Sequence, residues 1–151
     1  MGGPQLNVVQ LLLAGRRPLI LAGGGVVLSE ASRELAAFAE HVNVPVYTTF
    51  MGKGALGAEH PLHLGIAGCW GEYPAQEAAR NADVILAIGC RFSDLHCSSR
   101  VPGYTYNIPP TKLIHVDIDP TEIGRIYPTE LGIVGDARAV LQQLGERAQP
   151  A

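Results

Sequence analysis

Pro18-Leu-Ile-Leu-Ala-Gly-Gly-Gly25 carries the architecture in miniature. A short apolar run without polar alternation passes straight into three glycines, and Val26-Val27-Leu28 then leads toward a stretch of helical spacing. Such a run suits a strand of a parallel sheet covered on both faces. The same pattern returns at Val44-Pro-Val-Tyr-Thr48, Val84-Ile-Leu-Ala-Ile88 and Leu113-Ile-His-Val-Asp-Ile118, with a weaker copy at Leu131-Gly-Ile-Val134. Between these runs the spacing becomes helical. Ala31, Leu35, Phe38, Ala39 and Val42 share one face, with Ser29 placed to cap the start. Ala75, Ala78, Ala79 and Ala82 repeat the stripe behind Pro74, a good first helical residue. Ala137, Val140, Leu141 and Leu144 follow Asp136, a good cap, and an opening helix is expected over residues 6–14. Strands alternating with helices imply βαβ units in an α/β sandwich.

Composition narrows the function classes. The chain has 151 residues, 47% apolar and 17% charged, enough for one packed domain over residues 1–151, with a tail after Gly145 (146–151) expected to fray. Eleven basic against 14 acidic residues leave a net charge of -3, and no basic block exists, so nucleic acid and anionic membrane are poor partners. No apolar run approaches bilayer length, and the first residues lack a secretory or myristoylation pattern. Cys69, Cys90 and Cys97 are too few and odd in number for a disulfide framework, so the expected location is a reducing cytoplasm.

Ligands of open α/β sheets gather at the carboxyl ends of the strands. Gly23-Gly24-Gly25 follows the first strand; there a backbone can approach a ligand closely and a helix start can offer N–H groups to an anion. The spacing is not G-x-G-x-x-G, and Thr48 to Phe50 supplies no acid for a ribose, which disfavours an ordinary nicotinamide domain. Lys53 misses the P-loop spacing and reads as a solvated loop lysine. Gly65-Ile-Ala-Gly-Cys-Trp-Gly71 reads as a glycine-rich loop, with Trp70 either a stacking surface for a cofactor or a core or interface residue. Arg91, in Gly89-Cys-Arg-Phe-Ser-Asp94, has the character of a phosphate clamp. Asp117-Ile-Asp-Pro120 places acids where a ribose or adenine could be held, and capping of a short helix at Thr121 to Gly124 competes with that role. His96 and Cys97 have no C-x-x-C companion, so no metal site is expected. No nucleophile elbow or catalytic carboxylate pair is present, the five histidines read as structural, and no catalytic residue is assigned.

Five segments in order, Arg17–Gly25, Val44–Gly52, His60–Gly65, Asn81–Asp94 and His115–Gly124, resemble the central domain of thiamine-diphosphate-dependent enzymes, most closely that of the acetolactate synthase catalytic subunit. The likeness covers about residues 5–145, and D-I-D-P-x-E-I-G and G-x-R-F-x-D carry most of it. It implies an α/β fold, a three-layer Rossmann-like sandwich around a parallel sheet of about six strands. In such enzymes the two outer domains hold the thiamine diphosphate (ThDP) machinery: an activating glutamate, and a G-D-G…N-N motif for magnesium and diphosphate. The central domain does no chemistry, and binds FAD, ADP or nothing. Here Gly135-Asp136 is followed by Ala137, so ThDP and Mg2+ belong to the parent enzyme only. The chain is expected to be an excised fragment or a separate subunit, inactive alone on 2-oxo acids. Its partners would be the two ThDP-binding domains, in a dimeric or tetrameric homo-oligomer.

Carried across residue by residue, the resemblance puts Gly24 under a pyrophosphate. It puts Thr49, Phe50, Ala67, Gly68, Cys69 and Trp70 on the flavin side, and Gly89, Arg91, Phe92 and Ser93 between. Asp117 and Ile118 fall near the adenosine, with Asp136 and Ala137 at its far end. Two positions depart from the pattern: Trp70 stands for a loop histidine and Leu95 for an arginine. They leave ADP, or a ligand-free structural domain of a related carboligase or decarboxylase, as alternatives to FAD. An independent NAD-consuming deacylase on a related sheet would need a zinc module, against which the unpaired cysteines argue.

Overall fold

The computed structural model describes residues 3–69 and 71–148. Its elements in chain order are α1 (Gly3–Ala14), β1 (Pro18–Ala22), α2 (Gly24–Leu28), α3 (Ser32–Val42), β2 (Val46–Thr48), β3 (His63–Ile66), α4 (Tyr73–Asn81), β4 (Val84–Ile88), α5 (Asp94–Cys97), β5 (Lys112–Asp117), β6 (Leu131–Val134) and α6 (Ala137–Ala148). All six strands are parallel, in the order β3-β2-β1-β4-β5-β6. The order reverses between β1 and β4, where connections leave in opposite directions and a crevice opens. β1 is in register with β4 from Pro18↔Val84 to Ala22↔Ile88, so both strands end at one level.

Alternation along the strands divides the core. Ile20, Ala22, Val46, Leu86, Ile88, Ile114 and Val116 face one side, against Val8 and Leu12 of α1, Leu35 and Phe38 of α3, and Val140, Leu141 and Leu144 of α6. Leu19, Leu21, Tyr47, Ile85, Ala87 and Leu113 face the other, beneath Ala75 and Ala79 of α4 and residues of the irregular segments 98–111 and 118–130. No helix among the described residues is long and apolar enough to cross a membrane.

Several local expectations shift. Pairing of β2 begins at Val46 because Pro45 has no N–H for the ladder; its carbonyl instead accepts from Ile20 N at 3.0 Å. His63 to Ile66, read partly as loop, is the edge strand β3; Gly65 at φ +103° accompanies a register shift against β2. Ser29 caps no helix start. It ends α2, its Oγ donating to Val26 O at 3.3 Å, and α3 begins after Ala31. Thr121 to Gly124 form turns instead of a helix. Asp136 does cap α6, accepting from Ala139 N at 3.1 Å. That helix runs to Ala148, further than the expected frayed tail, and Ala148 O bonds His41 Nε2 at 2.7 Å; residues 149–151 lie outside the described residues.

Candidate functional site: a cleft at the reversal of strand order

The carboxyl ends of β1 and β4 meet without side chains. Gly23 N donates to Ile88 O at 2.9 Å and Gly25 N to Gly89 O at 3.1 Å. A methyl on Gly23 would lie 2.2 Å from Gly89 O, and one on Gly52 2.2 Å from Ala22 O. Only glycine permits this approach, and Gly89 adds a φ of +65°. The bare backbone floors a cleft of about 590 Å³. The helix start is less open than expected: Gly25 N is taken by Gly89 O and Val26 N by Gly23 O, and Gly24, half-buried, lines the cleft beside them.

The cleft gathers Gly24, Thr49, Phe50 and Ala67 with Gly89, Arg91, Phe92 and Ser93, and beyond them Asp117, Ile118, Asp136 and Ala137. Gly68 and Cys69 are not among its lining residues, and Trp70 lies outside the described residues. Gly68 is held beside α4, its carbonyl accepting from Gln76 Nε2 at 2.8 Å and its N–H donating to Gln76 Oε1 at 3.2 Å. Cys69 is an exposed thiol. Lys53 is exposed and off the cleft.

Four wall residues, Thr49, Ser93, Arg91 and Asp117, are each set by a nearby bond. Thr49 Oγ1 accepts from Gly52 N at 2.9 Å, which folds the chain after β2 back over β1. Ser93 Oγ accepts from His96 N at 3.3 Å and starts α5. Arg125 Nη2 donates to Arg91 O at 3.2 Å while its Nε donates to Glu122 Oε2 at 3.0 Å, so two loops hold Arg91 from outside. Asp117 Oδ1 accepts from Asp119 N at 2.9 Å. Asp119 turns away from the cleft and spends its carboxylate on Thr121, which keeps it below the usual carboxylate range.

Ten further lining residues stand outside the residue-by-residue assignment, although Gly25 is part of the glycine turn and Leu95 is one of the two departures from the pattern. Gly25 and Leu28 lie in α2, a helix that its glycines conceal, Ser29 ends it, Met51 lies in the turn after β2, and Cys90, Val116 and Gly135 are backbone neighbours of assigned residues. Leu95 and His96 enter through α5, a single turn with no periodicity to read. Glu122 returns over the cleft because the Asp119 turn bends the chain; the D-x-T-E spacing of Asp119-Pro-Thr-Glu122 carries that signal.

The charged lining consists of Arg91 against Asp117, Glu122 and Asp136. Burial pushes the Cys90 thiol up to about 12 and lowers His96 to about 4, so at neutral pH one is a thiol and the other a neutral ring. Nothing here pairs an activated nucleophile with a base. The arrangement can bind: bare backbone for a pyrophosphate, one guanidinium, carboxylates beside β5 and β6, and apolar surface beside β2.

Residues 6–144 match the family model described as thiamine pyrophosphate enzyme, central domain. The chain is 50% identical over 139 residues to a protein assigned as an acetolactate synthase large subunit in Methanocaldococcus jannaschii, covering 91% of this chain and 23% of that one. It is 44% identical over 141 residues to the acetolactate synthase large subunit of Corynebacterium glutamicum, covering 93% and 22%. A solved candidate thiamin diphosphate-dependent enzyme from Mycobacterium smegmatis superposes with a TM-score of 0.75 at 22% identity, over 95% of this chain and 27% of that one. The chain thus spans about a quarter of the length of each of these proteins. With the six-stranded parallel sheet and its cleft, these matches lead to one conclusion: the chain belongs to the thiamine pyrophosphate enzyme central-domain family.

Proposed function

We propose that this chain is the nucleotide-binding, non-catalytic central domain of an acetolactate-synthase-like enzyme, with FAD or ADP lying across the reversal of strand order. The side-chain-free junction beneath the cleft carries this reading: Gly23 and Gly52 pack backbone on backbone, and Gly24, Gly25 and Gly89 line the cleft above them, where a pyrophosphate can rest on backbone. Gly24 and Arg91 would hold the phosphates. Asp117, Ile118, Asp136 and Ala137 would take the adenosine half, and Thr49, Phe50 and Ala67, with Gly68, Cys69 and Trp70 beyond, the other half. In the parent, ThDP with Mg2+ supplies the chemistry that joins or cleaves 2-oxo-acid units, in domains outside this chain. The present residues bind and orient; they move no proton. A cytoplasmic homo-oligomer, with residues 5–145 as one domain docked against the two ThDP-binding domains, is the setting this implies.

The test is calorimetric titration of the purified chain with FAD and with ADP. Saturable binding of either is expected, and no heat with either ligand at millimolar concentration removes the reading. A second reading, a ligand-free structural domain, is favoured by one observation. Leu95, 57% exposed, puts an aliphatic side chain on the cleft where the resemblance implies a cation.

A further inference from the structure

A line of hydrogen-bonding groups runs from the core to the wall of the cleft. Tyr47 Oη, on β2, donates to Tyr106 Oη at 3.0 Å, and Tyr106 Oη lies 2.5 Å from His96 Nε2. With its oxygen accepting from Tyr47, Tyr106 directs its own proton to His96. Nε2 is then an acceptor, and a neutral imidazole so engaged carries its hydrogen on Nδ1. The opposite order would strand the buried Tyr47 hydroxyl proton as well, so the tautomer assigned from the network is Nδ1–H.

That donor has nothing to donate to. His96 is 7% exposed and lines the cleft, and its Nδ1 has no hydrogen-bond partner among the described residues. A buried donor left unpaired costs stability unless something else supplies the acceptor. Facing it is bare backbone: a Cβ on Gly68, at φ +94°, would stand 3.2 Å from Nδ1 and 1.7 Å from His96 O. Its place along the sheet is also defined. Tyr47 belongs to β2 and Gly68 follows β3, so His96 serves the β2–β3 half of the cleft, while Asp117 and Asp136 stand over β5 and β6.

Building on the nucleotide reading above, we propose that His96 selects a dinucleotide over a nucleoside diphosphate. Its Nδ1–H hydrogen bonds an acceptor, a ring carbonyl or hydroxyl oxygen, on the part of the ligand that lies over β2 and β3. Gly68 has no side chain to stand between Nδ1 and that oxygen. A site with a buried donor rejects a ligand that lacks the matching acceptor, and ADP, ending at its diphosphate, has none to bring to this half.

The experiment joins nitrogen NMR of the histidines with calorimetry on the 151-residue chain. The free chain should show His96 as the Nδ1–H tautomer. FAD should move the His96 Nδ1 signal while ADP leaves it in place. His96→Phe should weaken FAD about tenfold and leave ADP within about twofold. If that variant does not fold, the spectra of the unaltered chain decide alone. A His96 signal unmoved by bound FAD overturns the inference, as does an equal loss of FAD and ADP affinity in the variant, which would mark a merely structural role. Binding of ADP without FAD also overturns it while the nucleotide reading stands; binding of neither removes both.

Discussion

The two faces of the sheet are built by different means. On one, α1, α2, α3 and α6 lay aliphatic side chains on Ile20, Leu86, Ile88 and Val116, and Phe38 is its one buried aromatic among the described residues. On the other, one full helix, α4, leaves most of the covering to irregular segments, and the filling is aromatic and polar. Phe92 stands edge-on to Tyr106, His115 and Tyr127 at ring separations of 5.7, 5.3 and 5.3 Å. His115 Nε2 donates to Cys90 O at 2.7 Å, and Thr105 Oγ1 to Cys97 O at 2.7 Å. A helix satisfies its own backbone and needs only an apolar stripe to dock. A loop over a core must have its carbonyls answered one by one, and buried histidines and threonines do so here. The aliphatic face should therefore respond to lost volume, and the aromatic face to lost rings, lost hydroxyls and added protons.

Phe92→Ala presses hardest on that contrast. It removes the ring on which three others converge and should cost about 3–5 kcal/mol in urea unfolding, with loss of the tyrosine near-ultraviolet circular dichroism. Acid comes next. Unfolded, a histidine takes its proton near 6.5; folded, burial delays His96 to about 4 and lowers His115 in the same direction. Stability is intact above pH 6.5 and falls as pH drops from there toward 4, by about 3 kcal/mol from His96 alone. Urea midpoints at pH 7 and 4.5 measure it, and amide exchange should quicken first in segment 98–111. A flat profile would mean that the loop face does not depend on neutral histidines.

Tyr47→Phe keeps the ring and removes a hydroxyl that Tyr106 accepts; a loss of about 1–2 kcal/mol is expected, seen as a lower thermal midpoint. Ile20→Val on the aliphatic face should cost about 1 kcal/mol, with no change in its pH dependence. Glu77→Ala, breaking the exposed pair with Arg80 at 2.7 Å, should change the urea midpoint by less than about 0.5 kcal/mol.

The legibility of the chain follows the same division. β1 and β4 occupy the runs expected of them, because a parallel strand buried on both faces must be continuously apolar; β6, an edge strand with only Ile133 buried, also falls on its run. The α3 and α6 stripes were readable for the matching reason. What was hidden depends on local geometry. α2 carries glycines at its first two positions, residues that disfavour a helix, and is held by its bond to Gly89 O. Ser29 has the chemistry of a helix start but stands at a helix end. β3 is a four-residue edge strand containing a left-handed glycine. At the cleft, glycines and acids were legible because few residue types can do their work; Leu95, His96 and Glu122 reach it by turns that no period announces.

The knot of glycines at 23, 25, 52 and 89 has a consequence for evolvability. Wherever methyl groups cannot be added, selection has no variants to sort, so the floor must stay generic across descendants of this domain. Leu28, Met51, Leu95 and Ile118 stand exposed around the opening and are under no such restraint. The rim's share of ligand preference is therefore modular: a rim transplanted from a sister sequence carries its taste with it, and the foundation underneath need not change.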